Sequence, residues 1–405
     1  MAKKILFITS QFPAPEYRRV WKKVLSLAKE GYQIMVICPQ ASKSKVKKLK
    51  NIRVRYFRSY INKKKPLIFL LFELINLGKV SLISASKMIR FNFDVIHVAN
   101  PSDSPALLAG FLKIFGPIFV YENNQNCLEQ VNKLTDNKKF GKVIYGLFKK
   151  VQTFAVKSAD LVITSNSIQR VRLAKIIPKR KNKIITIEPY PDLRDYYHPF
   201  LKKDYKRGFR YLALYAGSIR VEKGIKKFLD AIKFIRKDLG RRDILFVVAG
   251  DGQDRERIVK YANQLGVADS IFFTGWLSQK QLLTYLTVAD IGIVLEDKQK
   301  QNQDLRDSIF EFMAMGKPII TFNSKVGQSR IGFAGKFIQD DNEILLAKEI
   351  IKTIDNKEKS QEMGRYGQLR IEKKFNWIKS EIKLTTTYEN LFLNRDMKKG
   401  KVGLE

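Results

Sequence analysis

Glu311 lies in the stretch FEFMAMGKPII, residues 310–320, where one acidic side chain sits on a short apolar helix that a Gly-Lys-Pro turn delivers into an apolar strand. The helix is expected from Asp307 to Met315, Gly316 is a left-handed stop, and Lys317-Pro318 leads into Ile319-Ile320. A carboxylate in that position can accept both hydroxyls of a ribose. Taken alone, the same glutamate fits equally well as a solvated residue on an amphipathic helix.

Two upstream segments supply the complementary charge. YLALYAGSIRVEKGIKKFLDAI, residues 211–232, reads as an apolar strand, a loop holding Gly217, Ser218, Arg220 and Lys223, and a helix opening at Gly224. Free backbone N–H groups, the helix dipole and two cationic side chains make such a loop a collector of anions. ILFVVAGDGQDRERI, residues 244–258, repeats the design, its strand ending in Ala249-Gly250-Asp251-Gly252 before another helix. Each turn by itself is more often plain backbone geometry than a ligand site, because glycine serves wherever the backbone conformation is unusual.

In order with IFFTGWLSQKQLLTYLTVADIGIVL, residues 271–295, these segments resemble the nucleotide-sugar domain of glycosyltransferase family 4, a group with the two-Rossmann-domain GT-B fold. In that family an AGxxxxxKG turn, an AGDG turn, a TGW-type strand end, an ADxxxxP-like strand and an FExMAxGKPxI segment follow one another. All but the proline of the fourth are present here. The resemblance extends to MAKKILFITSQFPAPEYRRVWKKVLSLAKEGYQIMVICPQ at the front, to FDVIHVANPSD (93–103) and ADLVITSNS (159–167), and to the closing helix KKFNWIKSEIKLTTTYENLF (373–392).

The resemblance implies transfer of a sugar from a nucleoside diphosphate to an acceptor hydroxyl, with retention of anomeric configuration, in cell-surface polysaccharide or glycolipid synthesis. Lys223 matches the family's phosphate-contacting lysine, with Arg220 in the same loop, and Glu311 matches the glutamate that holds the donor's ribose. Gly217 and Ser218 would approach the phosphates and Asp251 and Gly252 would line the nucleotide pocket, with Gln303, Asp307 and Ser308 ahead of Glu311 on the donor side. On the acceptor side His97 and Asn124 are the candidates. The chain departs from the family pattern at several places, among them the missing glycine-rich first loop and Pro189, which stands where an asparagine often follows the hinge strand. Ser218 stands where an arginine is common, Gln303 replaces the motif's first glutamate, and Glu122-Asn123-Asn124-Gln125 replaces a His-Asp pair. A neutral amide at 303 still bonds sugar hydroxyls but does not stabilise positive charge as a carboxylate does. A second class of function therefore stays open: a catalytically impaired GT-B protein that binds nucleotide-sugar or a partner without turnover.

Positioning these residues calls for an α/β protein, two Rossmann-like domains with parallel sheets facing across a cleft. The 405 residues exceed one hydrophobic core and suit two, and 45% hydrophobic content fills both. Strands alternate with helices in both halves. The expected domains are 1–195 and 205–379, the irregular, proline-bearing stretch Pro189 to Gly208 being the hinge and the final helix, 380–405, packing back on the first domain. Ligands of such sheets bind beyond the carboxyl ends of the strands. A dinucleotide-dependent oxidoreductase is disfavoured, because the first turn reads Ser10-Gln11-Phe12-Pro13-Ala14-Pro15, with no glycine to admit a pyrophosphate.

Two cysteines in unlike contexts and two histidines make a disulfide framework or structural zinc site implausible and point to a reducing compartment, the cytoplasm. Lys3 and Lys4 precede only a short apolar strand, so no secretory signal is expected. Without a D-x-D pair to hold a divalent ion between phosphates, the expected reaction needs no metal and no cofactor beyond the nucleotide-sugar co-substrate.

The net charge is +37, and residues 1–200 carry 37 Lys+Arg against 12 Asp+Glu. A basic front half suits a lipid-linked or sugar acceptor at an anionic membrane, on its inner face. KKKPLIFLLFELINLGKVSLISASKMIRF, residues 63–91, is a lysine run followed by an apolar helix that Glu73, Lys79 and Lys87 interrupt. It is expected to be a core-packed helix with surface membrane contact rather than a span. Nucleic acid is not an expected partner, since the basic residues are dispersed and no aromatic stacking surface is interleaved with them.

Overall fold

The structure, a computed structural model, describes residues 2–11, 13, 18–40, 49–59, 66–124, 127–134, 139–196, 204–220, 224–295, 307–339 and 342–398. It divides into two compact units, a front unit of Met1–Pro189 with Ser380–Glu405 and a rear unit of Tyr190–Lys379. The change of unit after Pro189 comes a few residues before the expected limit of 195. The reason is aromatic packing, since Tyr190 lies against Phe310 and Phe375 of the rear unit and the Trp377 N–H donates to the Pro191 carbonyl at 2.8 Å.

The front unit is built on a seven-stranded sheet: β1 Lys4–Ile8, β2 Gln33–Pro39, β3 Ile52–Phe57, β4 Val95–Ala99, β5 Ile118–Asn123, β6 Leu161–Thr164 and β7 Ile184–Thr186. Their order is β3-β2-β1-β4-β5-β6-β7 and the pairings are parallel. Parallel strands covered on both faces read as continuous apolar runs, and β4 and β5 are buried along their whole length. The helices are α1 Arg18–Lys29, α2 Pro66–Phe91, α3 Pro105–Leu112, α4 Cys127–Leu134, α5 Lys139–Ser158 and α6 Ser167–Ala174.

Helix α2 differs from its expected reading in two ways. It is only half core-packed, because Glu73, Asn76 and Ser84 are buried whereas Leu71, Leu74 and Leu82 are exposed. By length and composition its stretch Ile68–Met88 is also long and apolar enough to cross a membrane, the charges at 73, 79 and 87 being too few to interrupt it. Its polar side chains are spent on the protein side: Gln11 Nε2 donates to Glu73 Oε1 at 2.9 Å and the Ser104 hydroxyl to Oε2 at 3.0 Å.

The rear unit carries a six-stranded sheet: β8 Tyr211–Ala216, β9 Ile244–Ala249, β10 Ile271–Gly275, β11 Ile291–Val294, β12 Ile319–Phe322 and β13 Gly335–Ile338. Its order is β10-β9-β8-β11-β12-β13, again parallel. Helices α7 Ile225–Lys233, α8 Arg255–Leu265, α9 Gln279–Val288, α10 Asp307–Ala314, α11 Lys325–Ile331, α12 Glu343–Asp355 and α13 Lys357–Lys373 cover the two faces. Alternate residues of β8 and β9 serve separate cores: Tyr215 and Phe246 with Phe228 on one face, Leu214 and Val247 with Phe312 and Met313 on the other. Strand order reverses at β1/β4 in one sheet and at β8/β11 in the other, the switch points beyond which open α/β sheets bind ligands.

The last helix, α14 Trp377–Lys398, starts in the rear unit and lies in the front unit from Ser380 onward. Its polar contacts there are Lys3 Nζ to Asp396 at 3.0 Å, the Ser26 hydroxyl to Glu381 at 2.7 Å, Arg395 to Asp94 at 2.7 Å, and Tyr388 with His97.

Candidate functional site

At the carboxyl edge of the rear sheet three glycine turns interlock. The Gly217 N–H donates to the Ala249 carbonyl at 2.9 Å, Ile219 N–H to the Asp251 carbonyl at 3.0 Å, and Gly250 N–H to the Gly275 carbonyl at 3.0 Å. A Cβ at Gly250, whose φ is 149°, would meet the Gly217 carbonyl oxygen, and one at Gly252 would stand 2.1 Å from the Ile219 carbonyl oxygen. Gly250 and Gly252 are therefore glycine because two backbones touch there, which deepens the geometric reading of AGDG. Arg220 and Ser218 sit half-buried on this loop, Asp251 is exposed beside it, and Gly252 presents its N–H to the Asp251 carboxylate at 2.8 Å.

Gly224, in the left-handed region at φ 72°, opens α7. A Cβ there would stand 3.1 Å from Leu295 and Phe322, which lie at the carboxyl ends of β11 and β12. Helix α10 starts on the same edge. Its Phe312 ring presses on Gly292 of β11, where a Cβ would come within 2.5 Å of the ring. Gly316 ends it at φ 64°, as expected, and Gly364 abuts that turn. Glu311 is half-buried and accepts a bond from the Tyr196 hydroxyl at 3.3 Å, while the Ser308 hydroxyl is buried without a partner on the first turn. Asp307 is placed as the first residue of α10, and Lys223 and Gln303 lie outside the described residues. Gly217, Ser218, Arg220, Asp251 and Gly252 thus gather beyond the carboxyl ends of β8 and β9, whereas Ser308 and Glu311 lie on α10, the helix that precedes β12. Tyr196 was missed because it lies in a segment read only as hinge.

In the front unit His97 requires a correction. It is wholly buried, donates from Nε2 to Glu122 at 2.8 Å and meets the Tyr388 hydroxyl with Nδ1, so it has a structural role and is closed to substrate. Burial lowers its pKa, the adjacent Glu122 only partly opposing this. Burial would also raise the Glu122 carboxyl, but Lys23, whose Nζ is 2.6 Å away, and His97 hold it at about 2. Asp103 shows the opposite balance, pushed up to about 6 by burial despite bonds from Tyr121, Asn100 and Gln152.

Asn124 is different. Its backbone N–H donates to Asn100 Oδ1 at 2.7 Å and its carbonyl accepts from Ser165 and Gln169, yet both polar atoms of its buried side chain are without partners among the described residues. An orphan buried amide costs about 1–3 kcal/mol, a cost that a ligand's hydroxyl would remove. Ser10 and Gln11, just past β1, also keep an unpartnered buried oxygen each, Oγ and Oε1. Sequence reading passed over them because that turn was inspected only for glycine. The described cavity of about 230 Å³, lined by Lys4, Gln33, Asn51, Arg53 and Phe93 among others, opens at the amino edge of this sheet, away from these residues.

Residues 200–370 match the family model described as glycosyl transferases group 1. That segment of the rear unit is therefore similar to a group 1 glycosyltransferase domain. An uncharacterized glycosyltransferase of Methanocaldococcus jannaschii is 26% identical over 179 residues, 44% of this chain and 44% of that protein. The chain spans about half or less of the length of the first curated relatives it matches. Among solved structures, sucrose-phosphate synthase of Thermosynechococcus elongatus superposes with a TM-score of 0.75 at 17% identity, over 97% of this chain and 100% of the other. HepE of Anabaena in complex with UDP-glucose gives 0.66 at 14%, over 96% and 99%. At such identities the likeness shows the fold, which is GT-B as expected. The group 1 segment ends before α14 and begins after Tyr196, so Tyr196 lies just outside it.

Proposed function

We propose that the protein is a glycosyltransferase that moves a sugar from a nucleoside-diphosphate donor to an acceptor hydroxyl, in the cytoplasm and in the service of cell-surface polysaccharide or glycolipid synthesis. The observation that carries the reading is the set of interlocked glycine turns beside the β8/β11 switch point, in the sheet whose helix α10 carries Glu311. As the bond from the anomeric carbon to the diphosphate oxygen lengthens, its electron pair leaves with the phosphate and the sugar becomes oxocarbenium-like. The N-terminus of α7, Arg220 and Lys223 supply the positive field this step needs. Glu311 accepts the ribose hydroxyls, with Tyr196 steadying its carboxylate and Ser308 beside it. Asn124 takes an acceptor hydroxyl with its free amide, and retention of configuration follows the family resemblance.

The solved HepE complex with UDP-glucose makes a uridine nucleotide the first donor to test. A panel of UDP-, GDP- and ADP-sugars scored by thermal shift identifies the donor, because a ligand bound only to the native state raises its melting temperature. Release of nucleoside diphosphate in the presence of an acceptor extract then measures transfer. Binding without any turnover would overturn the enzymatic reading in favour of a binding protein.

A further inference from the structure

Helix α2 is inside out. On the side turned to the front unit it buries Glu73, Asn76 and Ser84 together with Phe69 and Val80, so that its polar residues face inward as much as its apolar ones. On the opposite side Leu71, Leu74, Ile75, Gly78, Leu82 and Ala85 are exposed, at the i, i+3, i+4, i+7, i+11 and i+14 spacing of one helix face. This stripe has no charged side chain over a length of about 21 Å, and Leu82 is 75% exposed. A helix on a water-facing surface normally has the reverse pattern.

The stripe continues onto neighbouring elements. Helix α3 packs against both α2 and α5, and its outer end leaves Phe111 and Phe115 exposed in edge-to-face contact. On α5 Val143 is 68% exposed, and the Phe154 ring lies directly against Gly110 of α3. Contiguous apolar surface of this size marks an interaction site. Its borders are basic: α2, α3 with the turn 113–115, and α5 together contain nine Lys and Arg and one acid, the buried Glu73.

We propose that this face of the front unit docks on an anionic lipid bilayer, with α2 lying in the interface and its leucines in the acyl boundary. Charge complementarity selects the occupant. A face whose rim has nine basic side chains, with Asp160 beside Lys113 as an exposed acid next to them, suits phosphate headgroups, while a second copy of the same face would set like charges against each other. The helix lies on the membrane and does not cross it. Glu73 is held by Gln11, Ser102 and Ser104 at the carboxyl edge of the sheet, and a crossing helix would carry that carboxylate and Asn76 into hydrocarbon stripped of their partners. The inference is independent of the transferase reading, since it rests on surface alone.

Co-sedimentation with vesicles tests it. The full-length protein should pellet with phosphatidylcholine vesicles containing about 30% phosphatidylglycerol and stay in the supernatant with pure phosphatidylcholine, and added salt should weaken the binding. The double substitution Leu74→Glu with Leu82→Glu should reduce the bound fraction at least about tenfold at an unchanged melting temperature. Should that variant fold poorly, Leu82→Cys carrying an environment-sensitive dye decides, because Cys38 and Cys127 are buried. A blue shift on anionic vesicles supports docking, and an unshifted spectrum overturns it. Wild-type protein left in the supernatant at low salt, or bound equally well after the double substitution, overturns it too. A dimer that the double substitution splits, with no vesicle binding, would assign the face to a second copy.

Discussion

A Cβ placed on Gly250 would stand 1.9 Å from the carbonyl oxygen of Gly217, so the turns that follow β8 and β9 are in direct backbone contact. No side chain fits between them. Gly250→Ala must therefore part the two turns, and a loss of stability of about 2 kcal/mol or more is expected, together with weaker donor binding. Urea unfolding and thermal shift with donor measure the two effects. Gly146→Ala on α5, with no neighbour within 4 Å of the new methyl, is the control and should be neutral or stabilising.

Glu311→Ala is expected to weaken nucleotide-sugar binding by roughly ten- to a hundredfold, the scale of a charge-assisted hydrogen bond. Glu311→Gln should fall between. A 2′,3′-dideoxy donor makes the test specific, because it should bind the wild type and Glu311→Ala with similar affinity. Tyr196→Phe, which removes the 3.3 Å bond to the carboxylate, should have a smaller effect in the same direction.

Lys223→Ala is expected to lower kcat by about 10²-fold or more with a lesser rise in KM, since a group facing a departing diphosphate acts most strongly as charge develops. Lys223→Arg should restore part of the rate. Steady-state kinetics at saturating acceptor separate the two parameters, and an effect confined to KM would make the lysine a ground-state contact.

The Lys23, Glu122 and His97 cluster sets an acid limit for the front unit. Glu122 has a depressed carboxyl pKa of about 2, so its contribution is full above the ordinary value of 4.5 and disappears as pH falls toward 2. Burial lowers His97 from 6.5, so it contributes in the same sense, and protonating it on acidification costs stability. Asp103, raised to about 6, works the other way, its contribution present below 3.8 and lost as pH rises through 6. Glu122→Gln leaves Lys23 buried beside a neutral partner and should cost about 3 kcal/mol at pH 7. Urea midpoints measured from pH 7 down to pH 3 should show the gap between variant and wild type closing as the acid end is approached.

Turnover is expected to persist in excess EDTA, because the sequence offers cationic side chains at the phosphates and has no D-x-D pair. A rate abolished by the chelator and restored by magnesium would reverse that expectation.

Much of the rear unit was legible because its chemistry is local. Strand, glycine turn and helix follow one another within some twenty residues, and Gly224 and Gly316 take up the left-handed conformations that their places between elements require. What was hidden depends on contacts distant in sequence. His97 looked like the end of its strand, yet it lies in the middle of β4 and Tyr388, 291 residues away, closes it off. The contact between Gly250 and Gly217 supplies the packing reason for glycines that sequence alone read as turns of unusual backbone geometry. Helix α2 misled for a related reason: its Glu73 looked like an interruption, whereas three hydroxyl or amide donors from two other segments absorb it and leave the leucines outside.

The path of α14 bears on how the chain is made. The rear unit is contiguous from Tyr190 to Lys379 and can complete its sheet while still tethered to the ribosome, but the front unit, though translated first, receives its covering helix only from residue 380 onward. Until that helix arrives, His97, Ser26 and Asp94 lack their partners Tyr388, Glu381 and Arg395. The half synthesised first is thus the one finished last, and shortened products ending before Ser380 should expose an incomplete front core to proteases.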